Sequence, residues 1–490
     1  MKKNIFARQR QLQAALPEPA ESPYLRLYGL RDNPFPSMAL FRSSTNDPRA
    51  NGEIYDEEFR FNEEREFFDR FVLPETGDMP LPIGFIRLDP QAGGRGNGKS
   101  TFLHHLMVRL NTGDWRDWPV DHEDPRLSAL AIHLLPQPKQ HTSFFQLIRL
   151  VFETLYQTEI GVHERKRLIR KVDGEIRAAL LLDLLDEEQS DEMTERDAEE
   201  LTLDLESTDR FEIMLTGFGL DLNELSAAAK VRLSAISSTC LDNDFIKAFL
   251  ANGASLEALW AGWRTSGWAV SDHRWKRWGA EWLTNGLVPV LVMAGYQRLY
   301  VLLDEFEKIY VYQSGKKREE FLDLLRQVLY EQDSTAVRRQ YITTILSIHP
   351  SIETYLKAHW ARVGLDQLAP LAPGEIERIS VALGRSTDER LKHLLITYLD
   401  YFRSEGDPNH GTTYPFSAGA LSPMLEKARL YPRNTLRYAH AILLKASRED
   451  IPAPIQKSYV EAVLSGGQAP QDDEDELDSL DPSATDLTEE

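Results

Sequence analysis

Ile83-Gly84-Phe85-Ile86-Arg87-Leu88, then Gly93-Gly94-Arg95-Gly96-Asn97-Gly98-Lys99-Ser100-Thr101, then Phe102-Leu103-His104-His105-Leu106-Met107, decide how the rest of the chain reads. The first run is apolar and short, which predicts a buried strand, and the last has helical spacing. Between them, Gly93, Gly98, Lys99 and Ser100 fill every fixed position of the phosphate-cradling P-loop pattern, in its strand–loop–helix context. Glycines let successive backbone N–H groups turn inward around phosphate oxygens, and a helix N-terminus adds positive potential. Gly93 to Thr101 are therefore the expected nucleotide contacts. Lys99 is expected at the β- and γ-phosphates, with the Ser100 hydroxyl on Mg²⁺.

A nucleoside-triphosphatase also needs a carboxylate at a strand end. Arg298-Leu299-Tyr300-Val301-Leu302-Leu303-Asp304-Glu305 supplies two, with Asp304 expected to hold the metal and Glu305 to polarise the attacking water. The adjacent glutamate suits hydrolysis on an additional-strand, conserved-glutamate core. A further apolar run, Tyr341 to Ile348, predicts a strand beside the Asp304 strand. A polar residue at its end would sense the γ-phosphate, and Ser347 and His349 are the candidates.

The chain has 490 residues, which suggests two to four structural units. Its single cysteine, Cys240, excludes an internal disulfide framework and any cysteine-rich zinc site. The histidines form no HExxH, and there is no GxSxG elbow, internal repeat, zinc-finger or homeodomain pattern. No apolar run approaches the roughly 20 residues a spanning helix needs, and the N-terminus lacks a signal-peptide stretch. The expectation is a soluble cytoplasmic protein without a membrane partner.

The formal net charge of −21 at first argues against nucleic acid, but its distribution matters. Residues 472–490 carry ten acids and no base, and residues 183–209 carry thirteen acids against Arg196. With those ten and twelve net charges set aside, the remainder stands at +1. Charge therefore leaves a DNA partner open. Residues 468–490 read as a disordered acidic tail.

The order of elements resembles the AAA+ ATPases, on the branch of origin-recognition initiators, transposition-regulator ATPases and type II secretion A-type ATPases. Tyr28-Gly29-Leu30-Arg31-Asp32-Asn33-Pro34-Phe35 is similar to the opening motif of the secretion and transposition members. Phe61-Asn62-Glu63-Glu64-Arg65-Glu66 resembles the box before the P-loop that packs near adenine. Ala129 to His133, followed by Thr142 to Ile148, looks like the second strand and its helix. His349-Pro350-Ser351-Ile352 sits where those proteins turn after the sensor strand.

The resemblance implies an α/β fold: a parallel sheet flanked by helices, with a large helical insertion and a C-terminal helical lid. It places an N-terminal segment at 1–75, the nucleotide-binding core at 76–160 and 283–372, the insertion at 161–282, the lid at 373–467 and the tail at 468–490. Arg362 matches the place of an arginine finger acting in trans, which implies a homo-oligomer. Arg433, in Tyr431-Pro432-Arg433-Asn434, resembles the second sensor at the start of a lid helix, although the family's preceding glycine is missing. The implied activity is hydrolysis of ATP with Mg²⁺ as a conformational switch. The object switched would be a DNA-bound assembly in transposition, mobile-element or phage-defence biology, with a recombinase or nuclease as partner.

Direct contact with double-stranded DNA would fall to the insertion. Arg274-Trp275-Lys276-Arg277-Trp278 interleaves cations with rings, as base-stacking surfaces do. The i, i+3, i+7 spacing of Trp275, Trp278 and Trp282 equally describes one core-facing helical stripe. The basic run Arg165 to Lys171 is open to the same two readings. A secretion or envelope-assembly ATPase and a slow-turnover ATP-binding scaffold are the alternative functions.

Overall fold

A computed structural model describes residues 22–38, 40–42, 45–74, 81–89, 96–115, 118, 124–137, 141, 143–157, 283, 288, 296–311, 313–330 and 341–466. Gly93, Gly94 and Arg95, the 161–282 insertion with its tryptophans and basic run, and the acidic tail lie outside them. In chain order the elements are α1 (Pro23–Tyr28), α2 (Phe61–Phe67), β1 (Ile83–Leu88), α3 (Lys99–Thr112), β2 (Ala129–Leu134), α4 (Phe144–Gln157), β3 (Arg298–Leu303) and α5 (Phe306–Val311). They continue as α6 (Gly315–Tyr330), β4 (Ile342–Ile348), α7 (Pro350–Arg362), β5 (Ser380–Leu383), α8 (Asp388–Phe402), α9 (Leu421–Lys427), α10 (Pro432–Arg448) and α11 (Lys457–Ser465).

The strands form one five-stranded parallel sheet in the order β2-β3-β4-β1-β5, flanked by helices. Every residue of β1, β2, β3 and β4 is buried, which explains why these strands read as mainly apolar runs instead of regularly alternating ones. The strand expected beside the Asp304 strand is there: Leu299 to Leu303 of β3 pair in parallel with Ile342 to Leu346 of β4. The edge strand β5 has four residues and carried no signal in the sequence reading.

The described residues fall in two compact units. One draws on the described residues within Phe68–Phe85 and Met107–Ser380. Here the Asn111 side chain donates to the Ala131 carbonyl at 2.9 Å and accepts from its N–H at 2.7 Å, tying α3 to β2. The Tyr300 hydroxyl donates to the Phe71 carbonyl at 2.7 Å, and the Trp360 indole to Ala369 at 2.8 Å. At the start of α4, the Ser143 N–H donates to Gln146 Oε1, the return bond of a capping box.

The other unit draws on the described residues within Met1–Phe67, Ile86–Leu106 and Val381–Ala484. Its core joins the segment Tyr28 to Phe59 with α8, α9, α10 and α11. The Asn33-Pro34-Phe35 motif is docked by polar bonds as well as by its ring. Asn33 Nδ2 donates to the His440 carbonyl (3.2 Å), and His440 Nδ1 donates to the Phe35 carbonyl (2.7 Å). The Phe35 ring, fully buried, packs on Tyr398 and Phe416 at 6.3 Å each. Truncating such a ring to alanine costs about 3–5 kcal/mol. Thr387 caps α8 by accepting the Arg390 N–H, and Pro432 opens α10, where a missing N–H is harmless. Among the described residues no helix is long and apolar enough to cross a membrane.

Candidate nucleotide site

The turn leading into α3 has the backbone its glycines allow. Gly96 and Gly98 stand at φ 95° and 83°, left-handed values that a side chain disfavours. Asn97 between them is buried, Gly98 is exposed, and Lys99, Ser100 and Thr101 are half-buried on the first turn of the helix. The Phe102 N–H closes that turn onto the Gly98 carbonyl at 2.9 Å.

Two carbonyls of the turn are held from behind. The Arg433 backbone N–H donates to the Gly96 carbonyl at 3.2 Å, and Arg60 Nη2 donates to the Asn97 carbonyl at 2.8 Å. In a planar trans peptide the N–H points opposite the C=O. The Asn97 N–H is therefore turned away from Arg433, and the Gly98 N–H away from Arg60. Outward-turned consecutive amides in a left-handed turn at a helix N-terminus suit an anion. Arg433 also packs its side chain on this turn: a Cβ placed on Gly96 would lie 2.8 Å from Arg433 Cβ and 3.3 Å from its Cδ.

Arg60 is itself buried, 2% exposed. Its Nη1 donates to Glu63 Oε1 (2.8 Å) and to the Gly384 carbonyl (3.2 Å), and its guanidinium stands 4.7 Å from the Phe59 ring centroid. Burial pulls the Arg60 pKa down, and the Glu63 carboxylate opposes that. Glu63 is shared with Arg390 at 3.1 Å. Next on α2, Glu64 reaches His105 of α3 at 3.2 Å, and His105 stacks on Tyr55 with ring centroids 3.7 Å apart. The sequence box at Phe61 to Glu66 thus grips the helix that follows the glycine turn.

The paired acids stand at the end of β3. Asp304 is fully buried; its Oδ1 accepts the Glu305 N–H at 2.8 Å, and its Oδ2 lies 3.7 Å from His133 Nε2 of β2. Glu305 is half-buried and adopts φ 49°, left-handed and uncommon for a residue with a side chain. Such strain concentrates at functional positions. One step past the paired residues Leu303 and Leu346, Ser347 follows on β4 as Asp304 does on β3. Ser347 is fully buried, and its Oγ has no hydrogen-bond partner among the described residues. His349 is half-buried, and its carbonyl accepts the Ile352 N–H at the start of α7.

Arg362 ends α7 on the surface, two-thirds exposed, with Nη1 2.6 Å from Glu319 Oε1 of α6. His359 approaches the same carboxylate at 3.2 Å. Arg362, with smaller help from His359, holds the Glu319 carboxyl below its usual range. Arg60 lies outside every motif quoted from the sequence, where a charged residue just before an acidic helical box was the one available signal; Ser347 was among the candidates, but its unfilled hydrogen-bonding capacity left no trace there. No protein-family model, curated protein or solved structure matches the chain.

Proposed function

We propose that the chain is an AAA+ ATPase that hydrolyses ATP with Mg²⁺ as an oligomeric conformational switch. One observation carries the reading: a glycine turn with left-handed Gly96 and Gly98 follows β1 into α3, and the Asp304–Glu305 pair follows β3 of the same parallel sheet. Open α/β sheets bind ligands at the carboxyl ends of their strands. The residues suit the cofactor: Ser100 and the buried Asp304 carboxylate would hold Mg²⁺, which when bound neutralises charge on the phosphates. Lys99 and the outward N–H groups of Asn97 and Gly98 bind the triphosphate. Glu305 takes the proton from the water that attacks the γ-phosphorus. Ser347, with unfilled capacity at its fully buried hydroxyl, and His349, one residue beyond β4, are the two candidate γ-phosphate sensors.

Arg433 is the lid residue that reads the nucleotide, because it already packs on the phosphate-side turn. Arg362, exposed at the end of α7, is the finger offered to a second copy. By the resemblance alone, the assembly switched is DNA-bound and includes a recombinase or nuclease. The deciding experiment is hydrolysis by the full chain with Mg²⁺, with and without double-stranded DNA, alongside its mass in a non-hydrolysable analogue. ATP turnover with Mg²⁺ is expected. A chain that neither binds nor hydrolyses ATP overturns the ATPase reading. A DNA-independent rate, binding and assembly removes DNA from it, and a near-zero rate with co-purified nucleotide favours the scaffold.

A further inference from the structure

We propose that Arg60 is a positioning residue for the phosphate cradle, fixing the peptide between Asn97 and Gly98 so that its N–H faces the ligand. The inference rests on the nucleotide-binding reading above and extends it to a residue outside the P-loop pattern. Three contacts of one guanidinium carry it: Nη2 to the Asn97 carbonyl at 2.8 Å, and Nη1 to Glu63 at 2.8 Å and to the Gly384 carbonyl at 3.2 Å. The two nitrogens of a planar fork reach in fixed directions, so anchoring one on Glu63 and Gly384 aims the other at Asn97. Glu63 fixes the arginine, and the arginine fixes the peptide.

The turn needs such a clamp. With glycine on both sides of Asn97, the 97–98 peptide can rotate with little steric penalty, and rotation would present a carbonyl oxygen to an anion. A buried, charge-assisted bond on the carbonyl removes that alternative before ligand arrives, which is preorganisation. Lysine cannot reproduce it, because a single ammonium lacks the fork that serves Glu63 and Asn97 together.

The test uses the full chain and two probes, ATP and inorganic tripolyphosphate, the second reporting the cradle without the base. Arg60→Met alone leaves Glu63 buried with only Arg390 and is expected to lower thermal stability. The double variant Arg60→Met with Glu63→Leu replaces the pair by apolar groups and should recover stability. Affinity should not recover: both probes are expected to bind about 10-fold or more weakly, the scale of one charge-assisted bond. Arg60→Lys, which keeps the charge beside Glu63, serves if the double variant does not fold, and is expected to show a smaller loss of both probes. Wild-type affinity for tripolyphosphate in the double variant, or in Arg60→Lys, overturns the inference while leaving the ATPase reading intact. A wild-type chain that binds neither probe overturns both.

Discussion

Replacing Gly96 by alanine should cost more stability than replacing Gly98, although the two share a turn and a left-handed backbone. The φ values are 95° and 83°, so each alanine carries a similar backbone strain, about 1–2 kcal/mol. The surroundings differ. Nothing lies within 4 Å of a Cβ built on Gly98, whereas one on Gly96 falls 2.8 Å from Arg433 Cβ. That Cβ cannot retreat cheaply, because the Arg433 N–H is bonded to the Gly96 carbonyl and Pro432 fixes the start of α10. Overpacking against an anchored atom adds about 1–3 kcal/mol, which makes the total at Gly96 roughly 2–5 kcal/mol against 1–2 at Gly98. Urea unfolding followed by circular dichroism, without nucleotide, measures both. The identity of the clashing atom gives a sharper check. Arg433→Gly in the Gly96→Ala background removes the offending Cβ and should restore part of the loss, whereas Arg433→Ala keeps it and should not. Equal costs at the two glycines, or rescue by both Arg433 substitutions alike, would refute the packing argument.

Lys99→Ala is expected to lose ATP binding, and Glu305→Gln to bind ATP yet stall; full turnover by the latter in a phosphate-release assay rejects Glu305 as the base. Glu305→Gly should also stall, while raising the urea midpoint by relieving φ 49°, the stability–function conflict expected of a strained catalytic position. Arg362→Ala should keep ATP binding but lose turnover by about 10³-fold or more. Mixing it with Glu305→Gln should recover turnover, since one copy supplies the base and the other the finger; mixtures as inactive as their parents speak against action in trans. His393, whose Nδ1 lies 2.8 Å from buried Asp56, has its pKa raised above 6.5 chiefly by that hydrogen bond, with Glu58 and Asp400 adding to it. Its stabilisation is then full below about pH 6.5 and lost as pH rises through the raised pKa. The urea-midpoint gap between wild type and His393→Asn should therefore shrink from about pH 6 to about pH 9, and a widening gap would contradict the assignment.

The features legible in the sequence are those whose physics is local. Strands β1 to β4 lie between helices and are buried throughout, so each reads as a mainly apolar run without regular polar alternation, and their ends fall within a residue of the expected bounds. The glycine turn was legible because the pattern that points to it lies within one short stretch, Gly93 to Ser100, whose described part carries left-handed Gly96 and Gly98. By contrast β5, at four residues, is too short to rise above the background of apolar tetrapeptides.

Contacts between distant residues leave no such trace. Arg60 bonds to a carbonyl 37 residues away and another 324 away, and a backbone acceptor imposes no residue type on either partner, so neither end marks the other. The opening motif is instructive in the same way. Tyr28 to Phe35 could be quoted as a likeness, yet its role depends on the Phe402, His440 and Ile451 carbonyls that it meets more than 370 residues later. One continuous stretch, residues 28–64, thus bonds α8 and α10 through Arg31 and Asn33 and holds the glycine turn through Arg60. The helices bearing Arg390 and Arg433 and the turn bearing Gly96 and Asn97 are therefore joined twice, by Arg433 directly and by Arg60 through Glu63. A displacement of α8 or α10 must strain at least one clamped peptide of the cradle. On the proposed reading, that linkage is how nucleotide state and lid position come to depend on each other.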